Sequence, residues 1–193
     1  MQISNSNLFP PIWGSVNSVK ENNSPPLNHA SGAGFHAGQL DGDALTSQSI
    51  RLSRNTWITA SVFKADDFSA DNPVVRVVGT NADGTPFEEF ININNVDPRE
   101  ASFIEMLALD GYNAANGKGV GKFARAAAAG MQSQDIARGG CGTNWGYGID
   151  AFTSLDMLSP VIQLMNLQQR NGNIEGFMRL QEIVNAMNRH TLS

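Results

Sequence analysis

Residues 74–78, Val74-Val75-Arg76-Val77-Val78, and residues 90–93, Phe90-Ile91-Asn92-Ile93, flank the turn signal Asn81-Ala82-Asp83-Gly84. Two β-branched and aromatic runs joined by Asn-x-Asp-Gly predict a hairpin. The turn suits a type I geometry with Gly84 in the left-handed conformation, making a bulge. With Asn81 and Thr85 flanking the turn, Val75 lies opposite Ile91 and Val77 opposite Glu89. One face then carries Val75, Val77, Ile91 and Ile93, and the other carries Arg76 and Phe90. A cation loop does not fit the same residues. In calcium-loop alignment the first and twelfth positions fall on Gly79 and Phe90, which have no side-chain oxygen.

The chain continues into Asn95-Val96-Asp97-Pro98-Arg99-Glu100. Asp97 is placed to cap free amides, Pro98 suits the first helical position, and Glu100 sits where a capping-box acid belongs. A helix from here carries Ala101, Ile104, Ala108 and Tyr112 on one side, beside Phe103, Met106 and Leu107, and frays near Asn116-Gly117. The segment Asn95-Val96-Asp97-Pro98-Arg99-Glu100-Ala101-Ser102-Phe103-Ile104-Glu105-Met106-Leu107-Ala108-Leu109 after a hairpin resembles one that recurs in poorly characterised proteins of Gram-positive anaerobic bacteria. The resemblance covers residues 73–112. It implies a bacterial source and no activity.

Upstream, Ile50–Lys64 reads as a strand, with Ile58, Ala60 and Val62 on one face and Trp57, Thr59, Ser61 and Phe63 on the other. Asp66, Asp67 and Asp71 precede Pro73 in what reads as a solvated connecting loop rather than a calcium site. Residues 1–48 are dominated by Asn, Ser, Gly and Pro, and read as a polar, irregular N-terminal arm with sparse anchors at Leu8, Phe9, Ile12, Trp13 and Phe35. Downstream, Phe123–Met131 reads as a short helix. Ser159-Pro160 starts a helix that runs to Arg170 and ends at Asn171-Gly172, and Asn173 caps a last helix. Its expected apolar stripe is Ile174, Phe177, Leu180, Val184 and Met187. The short link makes these two helices an antiparallel pair.

The expected fold is α+β. A small antiparallel meander of about three strands packs against helices, with a C-terminal helical hairpin. The arm occupies 1–48 and a single domain 49–193. Within the domain, 49–116 form the meander and its helix, 117–150 a Gly/Ala-rich connection, and 151–193 the helical pair.

Composition restricts function. The net charge is −5, charged residues make up 16%, and apolar residues make up 41%. No basic block exists to neutralise phosphates, which argues against a nucleic-acid partner. No run reaches the roughly 18 apolar residues of a membrane helix, and residues 1–7 lack a cationic start and an apolar core, so no secretory signal is expected. A cytoplasmic location follows, although an unsigned Asn/Ser-rich start also fits a substrate of a specialised export apparatus such as the flagellar one. A single cysteine, Cys141, excludes an intrachain disulfide framework.

Two glycine clusters invite chemistry. Gly117-Lys118-Gly119-Val120-Gly121-Lys122 departs from the phosphate-loop pattern at Asn116, where the first Gly belongs, and at Phe123, where Ser or Thr belongs. Gly139–Gly148 contains Cys141-Gly142-Thr143-Asn144-Trp145, superficially similar to the Cys-Gly-Ser-Cys-Trp stretch of papain-like proteases. Asn144 stands where that family's nucleophile belongs. Cys141 with His190 is the remaining catalytic candidate. Asn144, Trp145, Tyr147 and Asp150 are the candidates for lining a small-molecule pocket. His29, His36 and His190 are scattered and show no metal-ligand spacing, so neither metal nor cofactor is implied. Two function classes follow. The preferred one is a non-enzymatic interaction module that self-associates or binds a protein partner through its helices. The alternative is a small-molecule binder or enzyme built on residues 139–148.

Overall fold

The computed structural model describes residues 44–52, 57–117, 122–140, 142 and 150–190. The N-terminal arm through residue 43 lies outside them, as do Cys141, Asn144, Trp145 and Tyr147. The fold is α+β. Strands β1 (Thr46–Arg51), β2 (Trp57–Lys64), β3 (Val74–Thr80) and β4 (Pro86–Asn92) form an antiparallel sheet in sequence order. Helices α1 (Phe103–Ala115), α2 (Phe123–Ala137), α3 (Leu158–Arg170) and α4 (Ile174–His190) follow.

The sheet has four strands, not three: Ile50 and Arg51 end a separate strand that begins at Thr46, upstream of the run read as one strand over Ile50–Lys64, and the next strand starts at Trp57. β1 pairs with β2, Thr46 opposite Val62 and Arg51 opposite Trp57. The hairpin register matches the sequence reading: Val75 faces Ile91, Val77 faces Glu89 and Arg76 faces Phe90. The turn is closed by Asn81 N to Thr85 O at 2.8 Å, and Gly84 takes φ 86°.

Alternation then sorts the two faces. Ile50, Ile58, Ala60, Val62, Val75 and Val77 are buried in one core with α1. The outer face is laced by side-chain pairs: Ser47 with Ser61 at 2.8 Å, Ser49 with Thr59 at 3.0 Å, and Arg76 with Glu88 at 3.2 Å. The Arg76 guanidinium lies 5.4 Å from the centre of the Phe63 ring. Phe63 is buried, whereas Trp57 and Phe90 are 51% and 62% exposed.

α1 begins at Phe103, later than Asp97-Pro98 suggests. The actual cap is Ser102, whose Oγ accepts the Glu105 amide at 3.3 Å, while Glu105 Oε2 accepts the Ser102 amide at 2.7 Å. Asp97 instead makes a tight turn, accepting the Arg99 amide at 2.9 Å. The reason is a remote contact. Ala101 is held extended by a two-bond bridge to Leu155, at 3.1 and 3.0 Å. A residue in a bridge cannot continue a helix, so two local cap signals compete and the one beyond the bridge prevails.

α2 also runs further than its alanine stretch, to Ala137, and stops at Gly139 with φ 87°. α3 starts at Leu158, where Asp156 Oδ1 accepts the Leu158 and Ser159 amides. It ends at Gly172 with φ 70°. Asn173 Oδ1 accepts the Gly176 amide at 3.0 Å, as expected of a cap. α1 packs on the sheet, α2 on α1 and β1, α3 on α2, and α4 on α3. In α4 the buried side chains are Leu180, Ile183, Val184 and Met187. Ile174, expected in the stripe, is exposed, and Phe177 is half-buried.

Two helical glycines permit this packing. A Cβ at Gly111 would lie 2.8 Å from Val62 Cγ1, and one at Gly130 would overlap the Pro160 carbonyl of α3. Helix propensity alone favours Gly130→Ala by about 1 kcal/mol. The obstructing atoms are backbone and cannot rotate away, and overpacking costs about 1–3 kcal/mol. Gly130→Ala is therefore expected to lower the unfolding free energy in urea titration. A variant more stable than the parent would refute this account of the α2–α3 crossing.

Candidate functional site

Asp150 and His190 are the described members of the proposed catalytic and ligand-binding set. Asp150 opens the segment leading to α3. Its Oδ1 accepts the Phe152 amide at 2.9 Å and the Thr153 hydroxyl at 2.8 Å. The Thr153 hydrogen bond holds its carboxyl below the ordinary value. It lines a depression of about 260 Å³ with Leu52, Ile58, Ala151 and the hairpin turn residues Asn81, Ala82 and Asp83. Asp83 is likewise held low, chiefly by the Thr85 hydroxyl. Both acids thus serve as turn acceptors, and each stays ionised at neutral pH. His190 sits half-buried in the last turn of α4, where desolvation lowers its imidazole below the ordinary value. It lines neither this depression nor the next.

The second depression, of about 230 Å³, lies between the β1–β2 edge and α2. Ser49, Ile50, Arg51 and Trp57 form one wall, and Arg125, Ala128, Ala129 and Gln132 the other, with Gly142 between. Gly142 is the one described residue of 141–148. Its amide donates to Asp135 Oδ2 at 2.8 Å and its carbonyl accepts from Gln132 Nε2 at 3.0 Å, so α2 anchors this point of the glycine segment. Gly142 has φ 68°. Among the described residues, no three His, Cys, Asp or Glu side chains are grouped so as to hold a metal ion. None of the described helices is long and apolar enough to cross a membrane.

Sequence reasoning missed the most unusual polar group, Asp110 of α1, which is fully buried. Its Oδ1 accepts the Phe123 amide at 2.6 Å, and its Oδ2 accepts the Ala124 amide and Gln48 Nε2, each at 3.3 Å. The reason lies in α2. Lys122, at its N-cap, makes no side-chain capping bond, and Phe123 and Ala124 are buried. Amides orphaned at a buried helix start need an acceptor from elsewhere. Asp110 supplies it from another helix. The available signal was positional: residue 110 continues the Phe103–Met106–Leu107 spacing, which puts an acid on the buried side of α1.

Two effects oppose each other at this carboxyl. Desolvation disfavours the charge, while three N–H donors and the charge of Arg125 favour it; desolvation is larger and pushes the group up to about 7. Gln48 fits either state. Its Oε1 is buried without a hydrogen bond. A half-turn of the amide would present that oxygen to a protonated Oδ2, so Gln48 can donate to the anion or accept from the acid.

The pH dependence has a definite sign. Below the ordinary value of 3.8, Asp110 is protonated in both folded and unfolded chains. Between 3.8 and about 7 the folded chain keeps a proton that the unfolded chain releases. The stability this contributes is full below 3.8 and lost as pH rises through about 7. Asp110→Asn keeps an acceptor for the α2 amides but cannot ionise. From about pH 4 to about pH 8, wild type should lose on the order of 4 kcal/mol relative to Asp110→Asn. Asp110→Ala, which also cannot ionise, should be about 1–3 kcal/mol less stable than Asp110→Asn at any pH through the lost capping bonds. Urea unfolding across pH measures both, and a wild-type-minus-Asn difference that does not change with pH would contradict the assignment.

Comparison with known protein families, curated proteins and solved structures finds no match to this chain, so its function is argued from its own geometry.

Proposed function

We propose that the chain is a non-enzymatic interaction module of a bacterial cytoplasm, self-associating weakly through α4. The observation that carries this reading is the exposure of Ile174 and Met178, at 60% and 57%. A spacing of four places them on one side of the helix, away from the buried Leu180, Ile183, Val184 and Met187. Glu175 and Arg179 flank them and pair with each other along the helix.

This surface complements itself. Two α4 helices laid antiparallel about a two-fold axis bring Ile174 of one copy to Met178 of the other, and Glu175 to Arg179. The magnitudes make the association weak. Four side chains per dimer, already partly covered, gain on the order of 6 kcal/mol. That lies near the lower end of the roughly 4–15 kcal/mol cost of association. A patch of this size is also well short of the roughly 800 Å² per partner found in stable complexes.

Sedimentation equilibrium tests the reading. The wild type should show a weight-average mass that rises with concentration up to the millimolar range, and Met178→Glu should be monomeric throughout. A wild type that stays monomeric at those concentrations, or a Met178→Glu variant that dimerises equally well, rejects self-association through α4.

A further inference from the structure

We infer that Met178 is a peroxide-sensitive modification site, and that its conversion to the sulfoxide switches off association through α4. This control rests on the self-association described above and acts on the same patch.

Exposure singles out one sulfur. Among the described methionines, Met106, Met157 and Met187 are fully buried, and Met131 and Met165 are half-buried against the core. Met178 is 57% exposed. A buried thioether meets peroxide only after the structure around it opens, and packed core elements open rarely. Met178 needs no opening. Its sulfur attacks one oxygen of hydrogen peroxide; the O–O bond breaks, an S–O bond forms, and the other oxygen leaves as water. Sulfur is oxidised by two electrons and the peroxide is reduced. A dithiol, acting through a sulfoxide reductase, restores the thioether and yields a disulfide and water, so the change is reversible.

The patch is ill suited to the oxygen this adds. In the two-fold pairing each Met178 meets Ile174 of the other copy, whose side chain has no hydrogen-bond donor. The neighbouring cation, Arg179, is paired with Glu175. A sulfoxide must therefore give up its water when two copies meet, whereas the reduced thioether is apolar and adaptable. Each dimer holds two such groups, and leaving both unpaired weakens association by more than about tenfold. In the monomer the sulfoxide stays hydrated. The fold is untouched, because Leu180, Ile183, Val184 and Met187 are the side chains α4 buries. Association this weak also leaves the sulfur open to peroxide in dilute solution and covers it only in the dimer.

Treatment of the full chain with hydrogen peroxide, followed by dithiothreitol to reduce any disulfide formed through Cys141, tests the switch. The tryptic peptide Asn171–Arg179 contains Met178 and no other methionine, so mass spectrometry reads its oxidation separately. Met178 should oxidise at least about tenfold faster than Met106, Met157 and Met187. The chain oxidised there should keep the wild-type urea midpoint. Its weight-average mass in sedimentation equilibrium should stay that of the monomer where the mass of the untreated chain rises. Met178→Leu, apolar but without sulfur, should associate equally well before and after peroxide. A buried methionine that oxidises as fast as Met178 overturns the switch and leaves self-association standing. So does an oxidised chain that associates like the untreated one, or a Met178→Leu chain that peroxide dissociates. An untreated chain that stays monomeric overturns association through α4, and the switch with it.

Discussion

The carboxylate of Asp110 at the start of α2 is the contact on which the arrangement of layers depends. α2 enters the core with a buried phenylalanine and a buried alanine as its first residues, and its N-cap side chain makes no capping bond. Without an acceptor, two amides would be desolvated there at a cost of about 1–3 kcal/mol each. Asp110 is donated by α1, and Gln48 of β1 closes the third side. One carboxyl therefore joins the sheet edge to two helices. Once α2 is fixed, α3 must cross it at Gly130, where there is no side chain to hold the Pro160 backbone away. α4 then packs on α3. Order propagates outward from a polar contact, even though apolar burial supplies most of the favourable energy.

The same contact redirects the chemistry open to α2. A helix N-terminus following a glycine-rich stretch is a ready anion site, because its first amides point outward and its dipole is positive. Here the amides of Phe123 and Ala124 already hold an internal anion. The dipole is used to stabilise a buried carboxylate, which is one reason burial does not raise that group further. On the flank of α2, Arg125 is exposed and Gln132 donates to the Gly142 carbonyl.

Features legible in the sequence are those whose cause is local. The hairpin register followed from Asn81, Asp83 and Gly84, because a bulged turn leaves one pairing of Val75 and Val77. Asn173 and Gly172 marked a helix start and stop for equally local reasons. The start of α1 was misplaced because Asp97-Pro98 is a sound cap taken alone. Only the bridge from Ala101 to Leu155, across more than fifty residues of sequence, decides against it. The cleft was illegible for the same reason, since Trp57, Arg125 and Gly142 come from three distant segments. Asp110 lies between these cases. Its burial could be read from helical spacing, but its partners at 48, 123 and 124 could not.

Six of the described aspartates share one use, and it bears on function. Asp83 accepts the Thr85 amide, Asp97 that of Arg99, Asp110 that of Phe123, Asp135 that of Gly142, Asp150 that of Phe152, and Asp156 those of Leu158 and Ser159. The ion pairs seen among the described residues, Arg76–Glu88 and Arg179–Glu175, use glutamates instead. A short carboxylate can reach an amide two or three residues ahead, or at an adjoining helix end, and a longer one is better suited to reach a cation. An aspartate bound to a backbone amide and held at a low proton affinity is poorly suited to proton transfer, so Asp83 and Asp150 act as turn residues although they share a depression.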